Sequence, residues 1–168
     1  VVLDAATVEA WRAELPELPA VKRARFIRDY GLPEYDAGVL TADQAMAEYF
    51  EAAARMSKNF KAVSNWVMGE LLRALGEKGQ TIADAKITPA ALAALIALVD
   101  AKTINMPAAK EVFQVLFEHG GEPAAVVKEK GLAQVSDTGA IDSFAAQAIA
   151  ANPKVADDFR SGKEAALK

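Results

Sequence analysis

Leu92, Leu95, Ile96 and Val99 recur at i, i+3, i+4 and i+7, and Ala109, Val112, Phe113 and Leu116 repeat the spacing further on. Residues so spaced share one side of a 3.6-residue turn, so each set predicts an amphipathic helix. Through the stretch SNWVMGELLRAL, residues 64–75, and the turn before it, Phe60, Val63, Val67, Met68, Leu71, Leu72 and Leu75 gather on one broad apolar side. Asn65, Gly69 and Arg73 fall opposite, with Trp66 on the shoulder. Glycine inside a helix costs roughly 1 kcal/mol against alanine. Its presence here predicts a neighbouring helix in close approach, a central position for this segment, and more damage from Gly69→Leu than from His119→Ala.

Local signals divide the rest of the chain into further helices. Leu18-Pro19, Thr88-Pro89, Glu122-Pro123 and Asn152-Pro153 each place proline where a first helical turn tolerates its missing N–H. Thr41-Ala-Asp-Gln44 has the form of a capping box and predicts a helix from about 42 to 57. Gly31, Gly79, Gly120, Gly131 and Gly162 stand just past periodic segments, where a left-handed residue ends a helix. Punctuation is dense between residues 118 and 137, the candidate domain junction. Beyond it, Ile141, Phe144, Ala145, Ala148 and Ile149 form another stripe. No segment alternates like a strand, so the fold class is all-α.

Composition sharpens this picture. The 168 residues are 52% hydrophobic but only 7% aromatic, so alanine carries much of the apolar content and favours closely packed helices. The absence of cysteine removes disulfides, thiolate nucleophiles and cysteine-ligated zinc. The apolar run at 89–99 is too short to span a bilayer, and the expected location is cytoplasmic. Opening at Val1 rather than Met, the sequence reads as a piece cut from a longer protein. Net charge is −4; residues 1–80 hold 10 basic and 12 acidic groups and residues 81–168 hold 9 and 11, so any nucleic-acid surface must be a local patch.

Candidate chemistry is sparse. His119 is the only histidine, and it stands before Gly120-Gly121 at a helix end, where its cation suits the C-terminal dipole. No phosphate loop, dinucleotide fingerprint or nucleophile elbow occurs. The acidic pairs Asp157-Asp158 and Glu34/Asp36 could hold a cation, but near helix starts they read better as dipole complements. In KRARFIRD, Lys22, Arg25 and Arg28 share one side of a helix, with Phe26, Ile27 and Tyr30 on the other and Arg23 snorkelling between. A second basic cluster, Lys154, Arg160, Lys163 and Lys168, lies near the end. No catalytic residue and no metal site are assigned.

Four segments resemble, in the same order, the C-terminal part of the B subunit of aspartyl/glutamyl-tRNA amidotransferase (GatB). They are ELPELPAVKRARFIRDYGLPEYDAGVLTADQAMAEYFE, NWVMGELLRAL, AKEVFQVLFEHGGEPAAVVKEKGLAQVSD and IAANPKVADDFRSGKEAAL. The resemblance implies a helical bundle over residues 1–125 followed by a small YqeY-like tail over 126–168, incomplete at its C-terminus. It implies a non-catalytic, tRNA-binding region of an enzyme that converts Glu-tRNA(Gln) to Gln-tRNA(Gln) or Asp-tRNA(Asn) to Asn-tRNA(Asn), with the A and C subunits as partners. ATP and magnesium would belong to a cradle domain that this piece lacks. Lys154, Arg160, Lys163 and Lys168 are the implied tRNA contacts, and Asn65, Trp66 and Gly69 the implied structural signature. The chain departs from the family at INMPAAKEVF, where Met106-Pro107 replaces a glycine-lysine turn while Lys110 still matches. The alternatives are a purely structural docking module of the same complex and a free-standing YqeY-like protein.

Overall fold

The computed structural model describes Asp4, Trp11, residues 17–134 and residues 146–153. The chain divides into two compact units, Val1–Leu132 and Ala133–Lys168. Among the described residues there is no strand. The first unit contains α1 (Pro19–Tyr30), α2 (Glu34–Leu40), α3 (Gln44–Met56), α4 (Phe60–Trp66), α5 (Leu72–Lys78), α6 (Pro89–Asp100), α7 (Met106–His119) and α8 (Pro123–Lys130). A π turn, Val67–Leu71, makes α4 and α5 one continuous rod, and a 3-10 turn, Ile82–Asp84, precedes α6.

Proline opens α1, α6 and α8 as the sequence predicts. Thr88 caps α6 by accepting from the Ala91 N–H at 3.1 Å, and Asn105 caps α7 by accepting from Ala108 at 2.9 Å. The predicted box at Thr41 does not form. Asp43 is the cap of α3, accepting from the Met46 N–H at 2.8 Å. Thr41 instead ends α2, and its buried hydroxyl donates to the Ala37 carbonyl at 2.7 Å. A capping box does form at Thr81 and Asp84, ahead of the 3-10 turn.

The central element is α6 rather than the 64–75 segment. Its sequence is apolar nearly all round, so it can be covered from several sides. It packs against α3, α4, α7 and α8, burying Leu92, Leu95 and Ile96. Helix α8 packs within this unit, with Val126 and Val127 buried in its core, and the compact unit closes at Leu132. Phe26, Tyr30, Phe50 and Phe60 form an aromatic cluster between α1, α3 and α4, with ring centroids 5.2 to 5.3 Å apart. Ile27, placed on the apolar side by its spacing, is exposed.

Ion pairs fasten the outer helices. Arg25 is not a free solvated cation: it donates to Glu17 at 2.8 and 2.6 Å and to Glu51 at 2.5 Å, while the Tyr30 hydroxyl donates to Glu51 at 2.9 Å. Arg23 reaches Glu34 at 2.8 Å. Asp36, nearly buried, accepts from Lys61 at 2.6 Å and from Ser64 at 3.2 Å. Glu34 and Asp36 therefore tie helices together and do not converge on a cation site.

Helix α6 ends in a turn where Lys102 takes a left-handed φ of 56° while its N–H donates to the Val99 carbonyl and that of Thr103 to Leu98. A side chain in that conformation costs about 1 to 2 kcal/mol. Lys102→Gly is expected to raise stability by about 1 kcal/mol, read as a higher urea midpoint. A lower midpoint would mean that the lysine side chain stabilises the turn.

In the second unit residues 146–151 are helical, and the Asn152 amide donates to the Ala148 carbonyl at 3.0 Å. Residues 141–145 of the predicted stripe, Asp157, Asp158 and Gly162 lie outside the described residues.

Candidate functional site

The rod over residues 60–78 presents the feature that its sequence foreshadowed least. Val63, Val67, Leu71 and Leu75 follow one another at intervals of four and are all buried. In a regular α-helix each such step overshoots a turn by about 40°, and the set would drift off the core. The π turn corrects this: the Leu72 N–H donates to the Val67 carbonyl, five residues back, and the widened turn holds the four side chains on one face. The turn packs against α2.

Gly69 sits in that turn and faces solvent. A Cβ built there meets nothing within 4 Å, so the expected close approach of a neighbouring helix is overturned. The tryptophan nearby is packed. Trp66 is 6% exposed, and its ring lies 5.7 Å from that of Phe113 on α7. Gly69→Ala is expected to stabilise the chain by about 0.5 to 1 kcal/mol, because the methyl group enters open space and the unfolded chain loses freedom. Gly69→Leu and His119→Ala should both leave the midpoint within about 0.5 kcal/mol of the parent; a large loss for Gly69→Leu would mean that the π turn itself requires glycine.

Around the turn lies a small cavity of about 150 Å³ lined by Asn65, Trp66, Glu70, Met106 and Lys110. Asn65 is exposed, and its amide makes no hydrogen bond among the described residues. No buried side-chain nitrogen or oxygen there lacks a partner, and Trp66 makes no hydrogen bond, so its indole N–H edge keeps contact with solvent. Glu70 holds two cations, Lys110 at 2.8 Å on one oxygen and Arg73 at 2.8 Å on the other. Those hydrogen bonds, that of Lys110 first, keep its carboxyl below the ordinary glutamate range. Arg73 also reaches Glu77 at 2.8 Å.

The cavity is thus lined by the Asn65 amide, the Trp66 indole, the Lys110–Glu70 pair and the apolar Met106. It brings no nucleophile and base together. Among the described residues no three carboxylate or imidazole groups converge to hold a metal ion, and no helix is long and apolar enough to cross a membrane. His119 ends α7 with its ring exposed, 3.9 Å from Glu118. Of the predicted residues, Asn65, Trp66 and Gly69 do fall together here, whereas Lys154, Arg160, Lys163 and Lys168 lie outside the described residues. Periodicity and motifs do not single out Glu70. Its i,i+3 spacing to Arg73 is a usable signal, but the tie to Lys110, forty residues on, is not.

The described part of the first unit is thus an all-α bundle with a small cavity beside its π turn. The sequence profile of the GatB domain matches residues 48–168, and the chain belongs to that family. It is 49% identical over 170 residues, 99% of its length, to the B subunit of aspartyl/glutamyl-tRNA(Asn/Gln) amidotransferase from Caldicellulosiruptor bescii. Identity is 48% over 99% of the chain to the same protein of Caldicellulosiruptor saccharolyticus, and 49% over 96% to that of Solidesulfovibrio magneticus. The chain spans 35%, 35% and 34% of the length of these three relatives.

Proposed function

We propose that this chain is a non-catalytic, tRNA-positioning region of the B subunit of a tRNA-dependent amidotransferase, acting with A and C subunits in the cytoplasm. The substrate class is misacylated tRNA, Glu-tRNA(Gln) or Asp-tRNA(Asn). Identity of 49% along 99% of the chain to a protein named for that reaction carries the reading. ATP and magnesium would act in the part of the longer relatives that this chain does not span. No step is assigned to them on the described residues, which hold no cluster fit for a cation. The work left to this piece is binding: a scaffold of rigid helices presents groups that hold the tRNA while chemistry proceeds elsewhere.

A second reading, a structural docking module of the same complex, draws on two observations. Both cations beside the π turn are paired with carboxylates, Lys110 with Glu70 and Arg73 with Glu70 and Glu77, and the net charge is −4. Titrating tRNA at several salt concentrations separates the two. If Lys154, Arg160 and Lys163 contact phosphates, the affinity of the parent chain should fall with a log–log slope of roughly −2 to −3. Changing all three to alanine should weaken binding and flatten that slope. No measurable tRNA binding by the parent chain would favour the docking module.

A further inference from the structure

We infer that the end of the first unit formed by the α3–α4 and α6–α7 turns is a contact surface for the phosphodiester backbone of RNA, carried by Arg55, Lys58 and Lys102. The inference rests on the tRNA-binding reading above and places a binding surface outside the basic residues near the chain end.

Helices α3 and α6 lie side by side and run the same way. At one end the Tyr49 hydroxyl of α3 donates to the carbonyl of Ile87, just before α6 begins, at 3.0 Å. At the other, the Asn59 amide donates to both carboxylate oxygens of Asp100 at 3.1 Å. The same asparagine caps α4, accepting from the Ala62 N–H at 3.1 Å. One side chain thus locks the two turns together, and Arg55, Lys58 and Lys102 project from the joined turns, all exposed.

These cations differ from most others of the unit. Arg23, Arg25, Lys61, Arg73, Lys78 and Lys110 are each tied to carboxylates. Arg55, Lys58 and Lys102 have neither a hydrogen bond nor an ion pair among the described residues. Of the nearby acids, Glu51, one turn before Arg55, is paired with Arg25 and bonded by Tyr30, whereas Asp100 is held by the neutral Asn59 amide and keeps its charge, so the three cations outnumber the one unpaired acid between the turns. Met56, 63% exposed beside Arg55, adds an apolar spot of the kind a ribose or base edge can cover. Cations spread over two locked turns with an apolar group between them suit a strand of successive phosphates, where each contact releases counterions.

The test compares the parent chain with two double variants of equal charge change. Lys58→Gln/Lys102→Gln removes the proposed contacts. Lys86→Gln/Lys128→Gln removes two exposed lysines without ion pairs elsewhere on the same unit. With unfractionated bacterial tRNA as probe at several salt concentrations, the first variant should bind about tenfold more weakly at low salt, with a log–log slope shallower by about 2. The control should stay within about twofold of the parent, and Lys58→Arg/Lys102→Arg should restore binding. Equal weakening by both glutamine variants, or by neither, overturns the inference while leaving the tRNA-binding reading in place. Loss of the partner subunits in co-purification with tRNA affinity intact would assign the patch to a protein contact and overturn it too. A parent chain that binds no tRNA overturns both.

Discussion

Trp66→Ala should remove about 3 to 5 kcal/mol of stability, the range for deleting a large aromatic from a packed interior. The indole packs at a tilt against Phe113, which in turn lies 6.1 Å from Phe117, so the deletion opens a void at the contact between the π-turn rod and α7. Small domains hold only about 5 to 15 kcal/mol in total, and the loss would be a large fraction of it. With urea m-values of about 1 to 3 kcal/mol/M, the midpoint should fall by about 1 M or more. Trp66→Phe should recover part of the loss, since it refills the space but not the indole N–H edge. A decrease below about 1 kcal/mol for the alanine variant would show that the ring does not pack where it is placed.

The second large effect is expected at Arg25→Met, which strands Glu17 and Glu51 at once. Hydrogen bonds to charged groups are worth about 1.5 to 3 kcal/mol each in net terms, and solvent screening at these half-buried positions reduces their sum. A total loss of about 2 to 3 kcal/mol at neutral pH follows. The pH dependence gives an independent check. Hydrogen bonds from Arg25 hold the Glu17 and Glu51 carboxyls below their ordinary value of 4.5. As pH falls the unfolded chain takes up protons first, so the pair contributes fully above about pH 4.5 and its contribution is lost as pH drops through the lowered folded values. Unfolding curves of parent and variant should therefore keep their gap above about pH 4.5 and converge over the range below it. A gap that stays constant over that range would mean that Arg25 acts through packing alone.

The outcome at Thr41 and Asp43 shows where local rules stop. Thr-Ala-Asp-Gln offers two side chains able to cap a helix, and those rules do not choose between them. Thr41 is taken by α2, where packing buries its hydroxyl against the Ala37 carbonyl, and Asp43 is left to cap α3. Gly69 is a similar case. Its cost in a helix is legible in the sequence, but its surroundings are not, and the inferred neighbour is open space. Arg25 has the pattern of one of three solvated cations on a helix side, until the fold brings Glu17 and Glu51 to it from other parts of the chain.

By itself the sequence determined that this chain is helical, where proline opens its helices and where Gly31, Gly79 and Gly131 close them in left-handed turns. Those properties depend on φ preferences, capping and side-chain period, which act within a few residues. Only the tertiary structure decided that α6 is the centre, that a π turn keeps Val63, Val67, Leu71 and Leu75 on one face, and that Glu70 meets Lys110. It also decided which cations remain unpaired at the joined turns. These outcomes depend on how whole helices lie against one another, and that is set by the summed packing of the core, to which each residue contributes only a small part.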